Sequence, residues 1–174
     1  MKNHVSNWDA TTFFERLTAT NRLARDKQFR FCRVSGLQGF EEALAAMQTT
    51  TAFVCVSDSA EGFTELNNTP RTRRVKTVFI AMRHKVDSMP ARLACFDIMR
   101  ELFRQYMSVL ILESTRLQEN SLYLDPRIRF SEIPQYFASG CACASFQVAV
   151  DIFTDLRYNE DEWLPVEQPK TEEL

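Results

Sequence analysis

The chain has 174 residues, 45% of them hydrophobic, with 21 Lys and Arg against 23 Asp and Glu for a formal net charge of −2. A chain of that length can bury about two thirds of its unfolded surface as one domain. The near-neutral balance supplies no whole-molecule field to draw in nucleic acid or an anionic membrane, and no apolar run approaches the roughly 20 residues that a bilayer-spanning helix needs.

The N-terminus, from Met1 to Asp9, lacks the apolar core of a signal peptide, so the sequence reads as a soluble protein made in the cytoplasm. Residues 9–25 predict a helix with Asp9 as N-cap and Phe13, Phe14, Leu17 and Leu23 on one face. Phe29–Val34 alternates and predicts a short strand with Arg30 and Arg33 toward solvent. After Gly36 and Gly39, residues 40–47 predict a second short helix carrying Phe40, Leu44 and Met47.

Residues 51–57 are β-branched and nearly continuously apolar, the pattern of a strand covered on both faces or lying in an interface. Residues 57–74 are polar, with Gly62, Asn67, Asn68, Thr69 and Pro70, and read as a connection far longer than a hairpin needs. A strand over residues 75–85 follows. Asp87, Ser88 and Pro90 then open a helix over residues 91–116, with Leu93, Phe96, Met99, Phe103, Tyr106, Met107 and Leu110 three or four apart. At ~1.5 Å per residue it would run roughly 39 Å, enough to cross a four-stranded sheet. Residues 122–130 suggest a strand bent or bulged at Pro126, which favours an edge position. Residues 133–140 read as a return loop, and Cys141–Phe153 is the clearest strand in the chain. Beyond Tyr158 the composition turns acidic, and residues 159–174 read as a solvated tail.

These elements predict an α+β fold: a β-β-α-β-β core over residues 1–158, one long helix on a mostly antiparallel four-stranded sheet, with added N-terminal helices. The five cysteines, Cys32, Cys55, Cys95, Cys141 and Cys143, are odd in number and lie largely in apolar patterns, so reduced, buried thiols are the default. Cys141 and Cys143 share one side of a strand, but zinc would need two more converging ligands, and His4 and His84 offer no paired spacing. No catalytic residue, metal or cofactor is predicted. Asp97, Glu101 and Glu113 read as the solvated face of the long helix. Arg71, Arg73, Arg74, Lys76, Arg83 and Lys85 form a basic cluster without the aromatic interleaving of a single-strand platform, which favours a charged protein contact over nucleic acid.

The run from Thr51 to Thr154 resembles the small α+β proteins that finish the tails of long-tailed bacteriophages, the tail terminator and tail-completion family with its prophage relatives. The resemblance rests on the helix at residues 40–47, the long first connection, the single long helix, and the terminal strand closing on Asp151, Ile152, Phe153 and Thr154. It implies a non-enzymatic homo-oligomer, a ring commonly of six subunits, that sits on the tail tube and presents a surface to head-connector proteins. The protein would be cytoplasmic during assembly and end in the virion tail. The candidate contact residues are Glu61, Glu65, Arg71, Arg73, Arg74 and Lys76, on the long connection and the strand after it. The alternatives are a binding or regulatory α+β module that dimerises through its sheet, and an enzyme with a site built from residues such as Tyr123, Arg127 and Asp151.

Overall fold

The two longest alternating runs are the strands around which the chain is arranged. The computed structural model describes residues 8–133 and 140–164. It begins with α1 (Ala10–Thr20), α2 (Arg22–Asp26), β1 (Phe29–Val34), α3 (Gly36–Ala46) and β2 (Ala52–Ser57). It continues through β3 (Glu61–Glu65), β4 (Arg71–Arg83), α4 (Met89–Glu119), β5 (Leu122–Leu124), β6 (Phe130–Ile133) and β7 (Cys141–Phe153), with a 3-10 turn at Glu160–Glu162. The class is α+β, and the expected four strands become a single seven-stranded sheet.

β4 and β7, thirteen residues each, pair antiparallel without a slip from Arg71 opposite Phe153 to Arg83 opposite Cys141. Each is flanked by a strand broken at the same height. On one side Val56 faces Val78 and Glu61 faces Val75, so residues 57–60 oppose only Lys76 and Thr77. On the other, Leu124 faces Val150 and Phe130 faces Phe146, so residues 125–129 oppose only residues 147–149. Both interruptions hold two extra residues, the arithmetic of a bulge. The sheet therefore has a waist at Lys76 and Thr77 of β4. β1 lies outside β2 and is its only parallel partner.

One face of the sheet is covered over most of its length, leaving Arg74 and the β3 residues on that side exposed. Val54, Ile80, Ala144, Phe146, Val148, Val150 and Leu122 pack beneath α1 and α4, where Phe14, Met99, Leu102, Tyr106 and Leu110 are buried. Phe14 sits between the Tyr106 ring (5.7 Å) and the Phe146 ring (5.5 Å), and Thr18 Oγ1 meets the Tyr106 hydroxyl at 2.8 Å. The opposite face is covered only below the waist. There Phe40 and Leu44 of α3 close over Phe53, Cys55, Phe79, Ala81, Cys141 and Cys143, with the Phe40 and Phe79 rings stacked at 4.6 Å. Arg83 holds α3 down by donating to the carbonyls of Leu44 (2.5 Å) and Met47 (3.1 Å), a cation at a helix C-terminus.

Several expectations need correction. Residues 57–74 are not a loop: they contain β3 and the start of β4, joined by a five-residue turn from Leu66 to Pro70. β3 is exposed at every position, so no face of it had to be apolar and no alternation marked it. The helix over residues 9–25 is two, because Asn21 takes an extended conformation and its side chain caps α2 through the Ala24 amide (2.8 Å). The strand at residues 122–130 is likewise two, interrupted around Pro126 and paired only with β7, in keeping with a bulged edge. Leu93, placed in the buried stripe, is 52% exposed. Most of the return loop (residues 134–139) and the end of the acidic tail (residues 165–174) lie outside the described residues.

If α1 is integral to the core, Phe14→Ala should cost about 3–5 kcal/mol through lost burial and a cavity between Tyr106 and Phe146. Leu66→Ala, at the exposed hairpin turn, should change stability by less than about 0.5 kcal/mol. Urea denaturation of the two variants checks both values.

Candidate functional site

Because α3 stops at the waist, the sheet face beyond it is left open. That open half carries Glu61, Phe63 and Glu65 of β3, Arg71, Arg73, Val75 and Thr77 of β4, Gln147, Ala149, Asp151 and Phe153 of β7, and Tyr123 of β5, all in one register. Three aromatic side chains are exposed on it, Phe63 by 55%, Phe153 by 53% and Tyr123 by 39%. The Arg71 guanidinium lies 4.4 Å from the Tyr123 ring centroid and that of Arg73 5.6 Å from Phe63. Beside it, the hairpin turn and the chain after β7 enclose a concavity of about 700 Å³ lined by Leu66, Pro70, Phe153 and Leu156.

The six predicted contact residues are divided by the pleat. Glu61, Glu65, Arg71 and Arg73 share the open face, with Glu65 directly across from Arg71. Arg74 and Lys76 point to the other face, where they line a hollow with Trp8, Asp9 and Asp58. Lys76 Nζ donates to the carbonyls of Ser57 (2.9 Å) and Asp58, and the Thr77 amide donates to Ser57 Oγ (3.1 Å). Lys76 thus holds the bulge between β2 and β3.

Arg73 is also committed to the fold. Its Nε and Nη2 donate to the two Asp151 oxygens at 2.7 and 3.0 Å, and Nη1 donates to Asp125 Oδ2 at 3.2 Å. The guanidinium ties β4 to β7 and to the interruption after β5, and the carboxylates, Asp151 foremost, raise its pKa above its ordinary value. Gly62 allows β3 to lie against this segment, since a Cβ there would meet the Arg73 carbonyl oxygen at 1.7 Å. Of the other proposed trio, Tyr123 and Asp151 are register partners on the open face, whereas Arg127 is 93% exposed and stands 3.9 Å from Asp125.

Sequence reasoning missed the convergence of Phe63, Tyr123 and Phe153. The available signal was the opposite-charge pair Glu65 and Arg71 flanking a turn, which sets the hairpin register and brings Phe63 beside Arg73.

Cys141 and Cys143 are buried under α3, and among the described residues no group of three or more His, Cys, Asp or Glu side chains is arranged to hold a metal ion. Cys32 differs from the other thiols. It is partly exposed on β1, its sulfur 4.0 Å from that of Met47, and the Cys55 thiol beside it, with Arg30 nearby, lowers its pKa to about 7. The same contact and burial push Cys55 far up.

A scan against models of known protein families finds no match, and a search of curated proteins finds none either. Among the described residues, no helix is long and apolar enough to cross a membrane.

Two outcomes test the geometry. Arg73→Met should destabilise the protein by about 1–3 kcal/mol, as expected for a partly buried pair whose carboxylates are left unmatched, while Arg71→Ala should cost under about 1 kcal/mol; thermal melts decide it. Cys32 has a folded pKa below its ordinary value of 9.0, so it is mostly thiolate at pH 8, where an ordinary thiol is mostly protonated. Its alkylation by iodoacetamide should rise with a midpoint near pH 7, and Cys55→Ala should move that midpoint upward.

Proposed function

We propose that this protein is a non-enzymatic assembly subunit of the phage or prophage tail type, a tail terminator or completion protein. It would form a homo-oligomeric ring, of hexamer kind, on the tail tube and meet head-connector proteins, assembling in the cytoplasm and remaining in the virion tail. The observation that carries this reading is the open half of the sheet. A fold that covers most of one sheet face and the other only to the waist leaves three aromatic side chains and both signs of charge toward solvent on the latter. A surface of that composition suits a protein partner, whose apolar groups cover the rings while its charges meet Glu61, Glu65 and Arg71. Counting Arg71, Arg73, Glu61, Glu65, Asp125 and Asp151, two positive and four negative groups, the face is acidic, which weighs against a phosphate backbone.

Three of the architectural traits behind the resemblance support the same reading, a helix before β2, one long helix, and a terminal alternating strand, while β3 and its hairpin with β4 stand where the long first connection was expected. A second reading, a regulatory or binding module that dimerises through its sheet, draws on unpaired strand edges, since among the described residues β1 and β3 each have a neighbouring strand on one side only.

The test is a pair of exposed substitutions, Phe63→Asp and Phe153→Asp. Each should leave the subunit folded, because neither side chain is in the core. In a terminator, the double variant should lose binding to tube subunits in pull-down, and electron microscopy should show tails of irregular length. Normal, uniformly capped tails would refute the assembly reading.

A further inference from the structure

We infer that two copies of this chain join through a stepped sheet edge, β1 of each pairing antiparallel with β3 of the other. This goes beyond the assembly reading and does not depend on it. The geometry comes from the waist. β2 and β3 follow one another along the same side of β4, but β1 flanks β2 alone and ends at Val34, opposite Ser57. Below the waist the edge therefore protrudes by one strand; above it, beside β3, there is a notch. All five residues of β3 are exposed, and among the described residues no strand lies beyond it.

A two-fold axis normal to the sheet at the height of Lys76 turns each protrusion into the other's notch. β1 and β3 run in the same direction within a chain, because β1 is parallel to β2 and both β2 and β3 are antiparallel to β4. The rotation reverses one of them, giving an antiparallel ladder. Its register follows from the heights of the residues: Val34, at the waist, comes to face Glu61, Cys32 faces Phe63, and Arg30 faces Glu65. Six residues of β1 match five of β3, so each β1 becomes an internal strand between its own β2 and the partner's β3.

Charge selects this pairing over its competitors. β1 carries the exposed Arg30 and Arg33, the turn before it carries Lys27, and the adjoining α2 adds Arg22 and Arg25 against one carboxylate, Asp26, while β3 carries Glu61 and Glu65. Pairing β1 with β1 would bring arginine to arginine, and β3 with β3 glutamate to glutamate; only β1 with β3 places opposite charges across the ladder. Because a rotation normal to the sheet keeps its faces, Arg30 and Glu65 stand on the same side. The partner occupying this edge is thus a second copy, held by isologous contacts made twice.

The experiment is sedimentation and light scattering of the full chain across concentration. The wild-type protein should approach twice its 20.2 kDa mass. Arg30→Glu or Glu65→Lys alone should weaken dimerisation on the order of 100-fold, since each places like charges together at both symmetric contacts. The double variant, or an equimolar mixture of the two single variants, should restore it. An independent readout uses Phe63→Cys: mild oxidation should yield a covalent dimer through Cys32, abolished by adding Cys32→Ser. A protein that stays monomeric, or a dimer insensitive to both charge reversals and giving no cross-link, would overturn the inference. A larger closed ring indifferent to these substitutions would also overturn it while leaving the tail reading standing, and a stepped dimer with no effect on tails would do the reverse.

Discussion

The in-register antiparallel pairing of β4 with β7 is the constraint on which the rest of the structure depends. Two thirteen-residue strands paired without a slip define a ribbon long enough to need cover at both ends, and the pleat fixes which residues face each layer. A slip of β7 by one residue would send Ala144, Phe146 and Val148 out of the α1–α4 core and bring Asp151 into it, away from Arg73. The energetic asymmetry is steep: apolar groups would lose burial while a carboxylate parted from its arginine would be driven into the interior. This also explains why α4 can be long and only half apolar, since its buried residues meet one unbroken sheet face.

The same ribbon accounts for the waist. Each outer strand carries two residues more than its partner can match, and both surpluses fall at one height. The polar groups freed there are not left to water alone. Lys76 binds the bulging carbonyls on one side, and the Asp125 amide donates to the Ala149 carbonyl (2.9 Å) on the other, where the Asp125 carboxylate also meets Arg73. Cations that read in the sequence as one basic contact cluster are therefore divided. Lys76, Arg73 and Arg83 repair interruptions or helix ends, and Arg71 remains at the surface over Tyr123.

What was legible in the sequence follows from this division. β7, β1 and the start of α4 obey a single period with clear caps, and the structure has them where the pattern places them. β3 escaped because a strand exposed at every position leaves composition without periodicity, and its glycine and charged residues resemble loop chemistry. The break at Asn21 escaped because the apolar face continues across it through Leu23. For the candidate site, the residue identities were readable but not their sides. Which of Arg71, Arg73 and Arg74 reach the open face depends on strand parity, and a stretch taken for a loop has no parity, whereas Lys76 already lay in the strand expected from residue 75.

Edges complete the account. A sheet with strands free on one side invites uncontrolled pairing, and soluble proteins blunt such edges with charge, proline or bulges. All three appear here: Pro126 in the break between β5 and β6, the bulge between β2 and β3, and charges of one sign on each of β1 and β3. A uniform sign on one edge only repels. Opposite signs on two edges that lie on the same side of β4, offset by one strand, repel every pairing of like with like while permitting the crossed one. Charge that protects against aggregation can in this way also specify a single partner, and the two roles are carried by the same few side chains at no further cost to the core.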